Sequence, residues 1–361
     1  MNNLLMIEES DPSNDLDAEI TQCLANHGYN LCEWIGGGAS SSCFRVFSLQ
    51  YQDFFVCKII PRENEFNSEL EFLSQLFHPN IIQCYTYFQS PGLHYLILEE
   101  CTGGNLSDYI RDKGAMNHKT LLKFYYQLLS ALEYLHKRNI AHMDIKPANI
   151  LINKFGNPKL ADFGLSHTVK QNKCCSYVGT KIFVAPEVSD TIPYDPMKAD
   201  IYSLGVTFYT LLTGYDYETM NTIISMYLNI NSIPFPPQTP KILQSIISGS
   251  INKNPSERLT IPQLKSLLKD EFENQGVPSV ASACGVQTVQ GSSGSFRICR
   301  KNSTDSPAFG SSIVGSNTFG LLKKPMSRRN VLIPHGKTPP KPLSMLRISR
   351  SPLPPVLRPP E

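Results

Sequence analysis

The chain has 361 residues, 41% of them hydrophobic, with ten cysteines and a formal net charge of +2. That length admits a sizeable core and one or two domains, and no apolar run is long enough to span a membrane. The cysteines form no C-x-x-C pair and no regular spacing, so the simplest reading is reduced thiols.

Residues 1–28 carry six acids and no Lys or Arg, and Asp15–His27 fits a short helix or a disordered segment alike. The opening MNNLLMIEES lacks a basic n-region, so no secretory signal is expected and the location reads as cytoplasmic or nuclear. From Tyr29 the alternation predicts three short strands over 29–60, with turns at Gly36–Ala39 and Gln50–Asp53. Glu63–Phe77 has helical periodicity through Phe66, Leu70, Leu73 and Leu76. Residues 81–99 return to strand and end in the apolar run Tyr95–Leu98. From Asn117 onward helix dominates: Leu121–Lys137 has one apolar face, and Ala199–Thr213 is apolar enough to be buried all round. Residues 274–361 differ in kind, with 12 of the 27 prolines and few apolar side chains, and read as disordered. Charge divides at the same place. Residues 1–273 hold 21 Lys/Arg and 29 Asp/Glu, a net of −8, and residues 274–361 hold 12 and 2, a net of +10. A basic tail beside an acidic body fits tail–body contact or an acidic partner, and a merely solvated tail fits equally well.

Two short motifs carry chemistry. His142–Leu151 read HMDIKPANIL, and Lys159–Leu165 read KLADFGL. Asp144 can accept a hydroxyl proton and Lys146 can meet the oxygens of a transferred phosphate. Asn149 and Asp162 can hold Mg²⁺ through oxygen, the ligand that hard cations require. His142 and Phe163 read as packing residues.

In this order, and with the upstream partners below, these motifs resemble the eukaryotic protein kinases of the serine/threonine type, loosely the calcium/calmodulin-dependent group, over Tyr29 to Glu273. The resemblance implies an α+β bilobal fold. A small β-rich lobe with one main helix would span 29–99 and a larger helical lobe 103–273, with an acidic extension (1–28) and a basic Ser/Pro-rich tail (274–361) outside them. It implies ATP and Mg²⁺, and transfer of the γ-phosphate to Ser/Thr hydroxyls of protein substrates with Asp144 as base. No nucleic-acid partner is expected. The catalytic set would be Asp144, Lys146 and Asn149, and the metal set Asn149 and Asp162. The nucleotide would lie against Ile35, Gly36, Gly38, Cys43, Val56 and Leu151. Gly36 and Gly38 occupy the first two glycine positions of the phosphate loop, where main-chain N–H groups approach phosphate unobstructed, and Ser41 stands at the third. Lys58, in Phe55-Val56-Cys57-Lys58, would meet the α/β-phosphates. Its partner would be Glu69, with Glu65 and Glu71 as rivals. The hinge would be Glu99–Cys101, below Leu98 as a bulky gatekeeper. Thr180 would belong to the substrate platform, Glu187 would pair with Arg258, and Asp200 would bond the catalytic-loop backbone.

Departures from the family pattern carry expectations too. Met143 replaces the Arg that binds an activation-loop phosphate, so activity should depend less on phosphorylation of Ser176, the residue in the usual phosphosite place. Ala148 and Asn105 stand where Arg-selecting kinases carry Glu, so selectivity for Arg upstream of the phosphosite should be weak. Ser306, Thr338 and Ser351 precede prolines, and Lys323–Arg329 is a basic run, so a tail-binding regulator is one expectation. The adjacent Cys174–Cys175 reads as an ordinary loop pair. A weakly catalytic scaffold is the alternative function, and it would require loss of Lys58, Asp144 or Asn149, all of which are present.

Overall fold

The computed structural model describes residues 12–37, 41–61, 68–169, 180–188, 192–230 and 232–274. Helix α1 (Pro12–Asn26) leads into strands β1 (Tyr29–Gly37), β2 (Ser42–Ser48) and β3 (Asp53–Pro61), then helix α2 (Ser68–Leu73), then β4 (Cys84–Ser90) and β5 (Leu93–Leu98). The five strands form an antiparallel sheet in the order β1-β2-β3-β5-β4. Its two faces follow from the period-2 alternation of side chains. On β2 and β3, Phe44, Val46, Phe55, Cys57 and Ile59 are buried on the outer face. Cys43, Arg45, Phe54, Val56 and Lys58 alternate with them on the opposite face.

Helix α1 closes the outer face. Ile20 and Leu24 are buried in one cluster with Phe44, Val46, Cys57, Ile59, Tyr95 and Ile97. His27 stacks on Phe88 with ring centroids 3.8 Å apart. Sequence placed 1–28 outside the folded lobe, whereas Pro12–Asn26 is a helix sharing its core. The other difference lies in the helix expected over Glu63–Phe77. Residues 62–67 lie outside the described residues, and α2 stops at Leu73. There Ser74 Oγ and Gln75 Nε2 both donate to the Glu71 carbonyl, and the Phe77 N–H donates to Tyr134 Oη. Leu76 keeps its buried place, but from a turn.

The large lobe begins with α3 (Leu106–Lys113) and α4 (His118–His136), whose Asn105 and Asn117 caps accept from the N–H groups of Asp108 and Thr120. Short strands follow: β6 (Ile140–Ala141), β7 (Ile150–Ile152), β8 (Pro158–Leu160) and β9 (His167–Thr168), paired as β6-β9 and β7-β8. A 3₁₀ turn, Pro147–Asn149, separates β6 from β7. Then come α5 (Pro196–Thr213), α6 (Tyr217–Ile230), α7 (Lys241–Ser250) and α8 (Ile261–Asn274). Asp195 caps α5 by accepting from the N–H groups of Met197 and Lys198, with Pro196 preset in the first turn. At its other end Gly214 takes φ 69°, which a side chain would strain. Nearly every residue of α5 is buried, so it is the post around which the lobe packs. Among the described residues no helix is long and apolar enough to cross a membrane.

Candidate active site

Lys58 sits on the cleft face of β3, opposite Cys43 of β2. Its ammonium lies 2.6 Å from Glu69 of α2 and 3.2 Å from Asp162. Of the two rivals, Glu71 is exposed and Glu65 lies outside the described residues. Burial would push the Lys58 ammonium down, but the Glu69 and Asp162 carboxylates outweigh it and hold the cation. Burial likewise favours the protonated Asp162 carboxyl, but the Lys58 ammonium beside it outweighs burial, so its pKa falls below the usual carboxylate value.

The catalytic loop is built from below. Asp200, fully buried on α5, accepts from the main-chain N–H of His142 at 2.9 Å and of Met143 at 2.8 Å. His136 Nε2 lies 2.9 Å from the same carboxylate. Ser166 Oγ donates to the His142 carbonyl. So held, Met143 takes φ 67°, and Asp162, whose carboxylate meets Lys58, takes φ 63°, both uncommon for side-chain-bearing residues and found where surroundings over-determine the backbone. His142 is a packing residue: its ring meets Phe163 edge-on at 4.8 Å, and burial lowers its pKa so that it stays neutral.

Asp144 is buried, with its carboxylate 2.8 Å from both Lys146 Nζ and Asn149 Nδ2. Lys146 also donates to Thr180 Oγ1 at 2.9 Å, which brings the platform residue to the catalytic loop. Asn149 spends its amide N–H groups on Asp144 and keeps Oδ1 without a partner among the described residues. That oxygen and the part-exposed Asp162 carboxylate are hard donors. Among the described residues no cluster of three His, Cys, Asp or Glu is present. This suits Mg²⁺, which needs one or two protein oxygens and takes the rest from phosphate and water.

The walls are less uniform. Gly36 pairs with Cys43 and Gly37 with Ser42, while Gly38 lies outside the described residues. Ile35 is exposed on β1. Val56 pairs with Leu98, and Leu151 with Lys159. The Cys43 thiol is pushed up to about 11 by burial, and that of Cys101 to about 12, so both are neutral. Neither the Glu99 carbonyl nor the Cys101 N–H has a backbone partner among the described residues. Glu187 and Arg258 form a two-pronged pair at 2.6 and 3.0 Å. Ser176, Cys174, Cys175 and the tail residues lie outside the described residues.

Sequence reading missed Lys159 and Arg45. Lys159 is buried and 2.6 Å from Glu99. Arg45 reaches from β2 to Glu100. Only the first had a signal, as a cation inside the apolar run before Asp162.

A two-lobed cleft with these groups at these distances defines a protein kinase. The family of the protein kinase domain matches residues 29–271, and the chain belongs to it. It is 32% identical over 263 residues to CBL-interacting protein kinase 32 of Oryza sativa subsp. japonica, covering 69% of this chain and 59% of that protein. It is 35% identical over 210 residues to CBL-interacting serine/threonine-protein kinase 3 of Arabidopsis thaliana, covering 56% and 47%. Serine/threonine-protein kinase RUNKEL of Arabidopsis thaliana is 28% identical over 239 residues, covering 64% and 18%. The chain thus spans less than two thirds of each relative's length.

Proposed function

We propose that the chain is an active serine/threonine protein kinase that transfers the γ-phosphate of Mg-ATP to protein hydroxyls. The observation that carries this reading is the assembled set Glu69–Lys58–Asp162 beside Asp144–Lys146–Thr180. Lys58, kept cationic by two carboxylates, orients the α/β-phosphates. Asp144 is poised to accept the proton of a Ser or Thr hydroxyl and to orient it for in-line attack. Lys146 faces the charge that develops on the transferred group. Asn149 and Asp162 would hold Mg²⁺, which when bound neutralises phosphate oxygens. Thr180, tied to Lys146, supports the serine/threonine assignment, as do relatives named for that activity.

Recognition of substrates follows from what flanks this set. Ala148 is exposed at the cleft and Asn105 caps α3 with its side chain, so neither offers a carboxylate to an upstream Arg. Weak Arg selectivity is the consequence, and a peptide array with a strict Arg requirement would refute it. The relatives named as CBL-interacting are kinases whose names carry a protein partner. A regulatory partner for this chain, reached through its basic tail, is part of the proposal.

The test is radiolabelled phosphate transfer from Mg-ATP to generic Ser/Thr proteins by wild type, Asp144→Asn and Asp162→Ala. Transfer by wild type alone supports the reading. Full activity in a folded Asp162→Ala protein overturns it.

A further inference from the structure

The hinge carries two adjacent carboxylates, Glu99 and Glu100, and each is held from a different side. Lys159 of β8, in the large lobe, takes the Glu99 carboxylate at 2.6 Å. Arg45 of β2, on the cleft face of the small lobe, takes the Glu100 carboxylate through Nε, with Nη2 3.5 Å from its second oxygen. The same guanidinium lies over the Phe54 ring of β3, with Cζ 3.7 Å from its centroid, and 3.8 Å from Glu33 of β1. One side chain therefore links three strands of the roof to the hinge.

We propose that Arg45 is a positioning residue for the nucleotide, acting through Glu100 as a clasp that fixes the gap between roof and hinge. The geometry of the strands gives the reason. Arg45 is two residues along β2 from Cys43, on the face that carries Lys58, so it moves with the roof of the cleft. Glu100 lies between Glu99 and Cys101, whose carbonyl and N–H are without backbone partners among the described residues and stand ready for a planar base. Alternating side chains of an extended segment point to opposite sides, so anchors on neighbouring residues resist both twist and slide of that peptide. A guanidinium is suited to this task, because its planar fork meets a carboxylate at two points and its face stacks on an aromatic ring. The pair is only partly shielded, with 30% and 20% of the side chains exposed, so its worth is in geometry more than in stability.

This inference rests on reading the cleft as a nucleotide site, so the experiment measures binding apart from turnover. Mg-ADP affinity would be measured by titration calorimetry for wild type, Arg45→Met, Glu100→Gln and the double variant, with KM for ATP, kcat and thermal midpoint alongside. Arg45→Met keeps an apolar side chain of similar length and removes the guanidinium, with both its fork to Glu100 and its contact with the Phe54 ring. Each single variant should weaken Mg-ADP about three- to tenfold, and the double variant no more than either. KM for ATP should rise by the same factor while kcat at saturating ATP and the midpoint hold. A charge-swapped Arg45→Glu/Glu100→Arg protein should recover part of the affinity. Unchanged Mg-ADP affinity in both single variants, or additive losses in the double, would overturn the clasp and leave the kinase reading standing. Wild type that fails to bind Mg-ADP would overturn both.

Discussion

Replacing Asp200 by Asn tests the claim that the catalytic loop is held from α5. The carboxylate presents one oxygen to the Met143 N–H at 2.8 Å and the other to the His142 N–H at 2.9 Å, in a fully buried setting. An amide has a single oxygen. Whichever way it turns, its NH₂ faces one of the two N–H donors, and a buried donor is left without an acceptor at a cost of about 1–3 kcal/mol. The remaining bond also loses its charge assistance, and the contact with His136 Nε2 survives only if that ring offers a complementary tautomer. The sum is about 3–4 kcal/mol, which for a domain of this size lowers the melting temperature by about 6–15 °C. The loop also loses what holds Met143 at φ 67°, so Asp144 moves out of line with the acceptor. Phosphate transfer measured well below the new melting point should fall by tenfold or more, since misplacement by about 1 Å costs up to a hundredfold. A variant melting within about 2 °C of wild type with activity intact would refute the argument.

Three further changes test separate parts of the frame. At Gly103, after the hinge, an added Cβ would stand 2.8 Å from the Ile152 carbonyl oxygen, so Gly103→Ala should cost about 1–3 kcal/mol in urea unfolding and raise KM for ATP. The Tyr202 hydroxyl is buried without a hydrogen-bond partner among the described residues, so Tyr202→Phe should be neutral or stabilising by up to about 2 kcal/mol, with a loss above about 1 kcal/mol counting against it. His78 is lowered to about 4 by burial and by Lys265, Lys159 and Arg138, and its Nδ1 accepts from the Asn80 N–H. The unfolded chain takes up that proton near pH 6.5 and the folded chain only near 4, so stability falls as pH drops through that window. The loss at pH 5 is about 1 kcal/mol after allowing for partial exposure, and His78→Gln should remove that part of the slope.

What could be read from the sequence and what could not divide along one physical line. Asp144, Lys146 and Asn149 lie within six residues, so their chemistry shares one loop whatever the rest of the chain does. The apolar stripe of α4 and the saturation of α5 likewise report burial through local periodicity. Glu69 could be reached by counting from His78, but only the packed α2 separates it from Glu71, which points to solvent. The clasp was beyond reach. Alternation says which face of a strand a side chain takes, yet not which residue 55 positions away will meet it there. The packing of helix α1 was hidden for a similar reason, for Asp15–His27 fits a short helix or a disordered segment alike. Its segment is acidic and only weakly amphipathic, and it becomes a helix because the sheet's outer face offers Ile20 and Leu24 a place to be buried.

Met143 shows how the two kinds of knowledge combine. A methionine there removes a guanidinium that would gather an activation-loop phosphate, and the side chain is instead 6% exposed within the main core. The backbone conformation is nevertheless in place, because its own N–H and that of His142 are fixed by Asp200 and the preceding carbonyl accepts from Ser166. With a buried carboxylate and apolar packing shaping this loop, activity should depend less on an added phosphate. The kinase should therefore transfer phosphate equally well before and after exhaustive phosphatase treatment, within about twofold, a difference under about 0.5 kcal/mol in barrier. Loss of most activity on dephosphorylation, with the melting temperature unchanged, would mean that another cation has taken over the missing arginine's role, and the packing argument would fail.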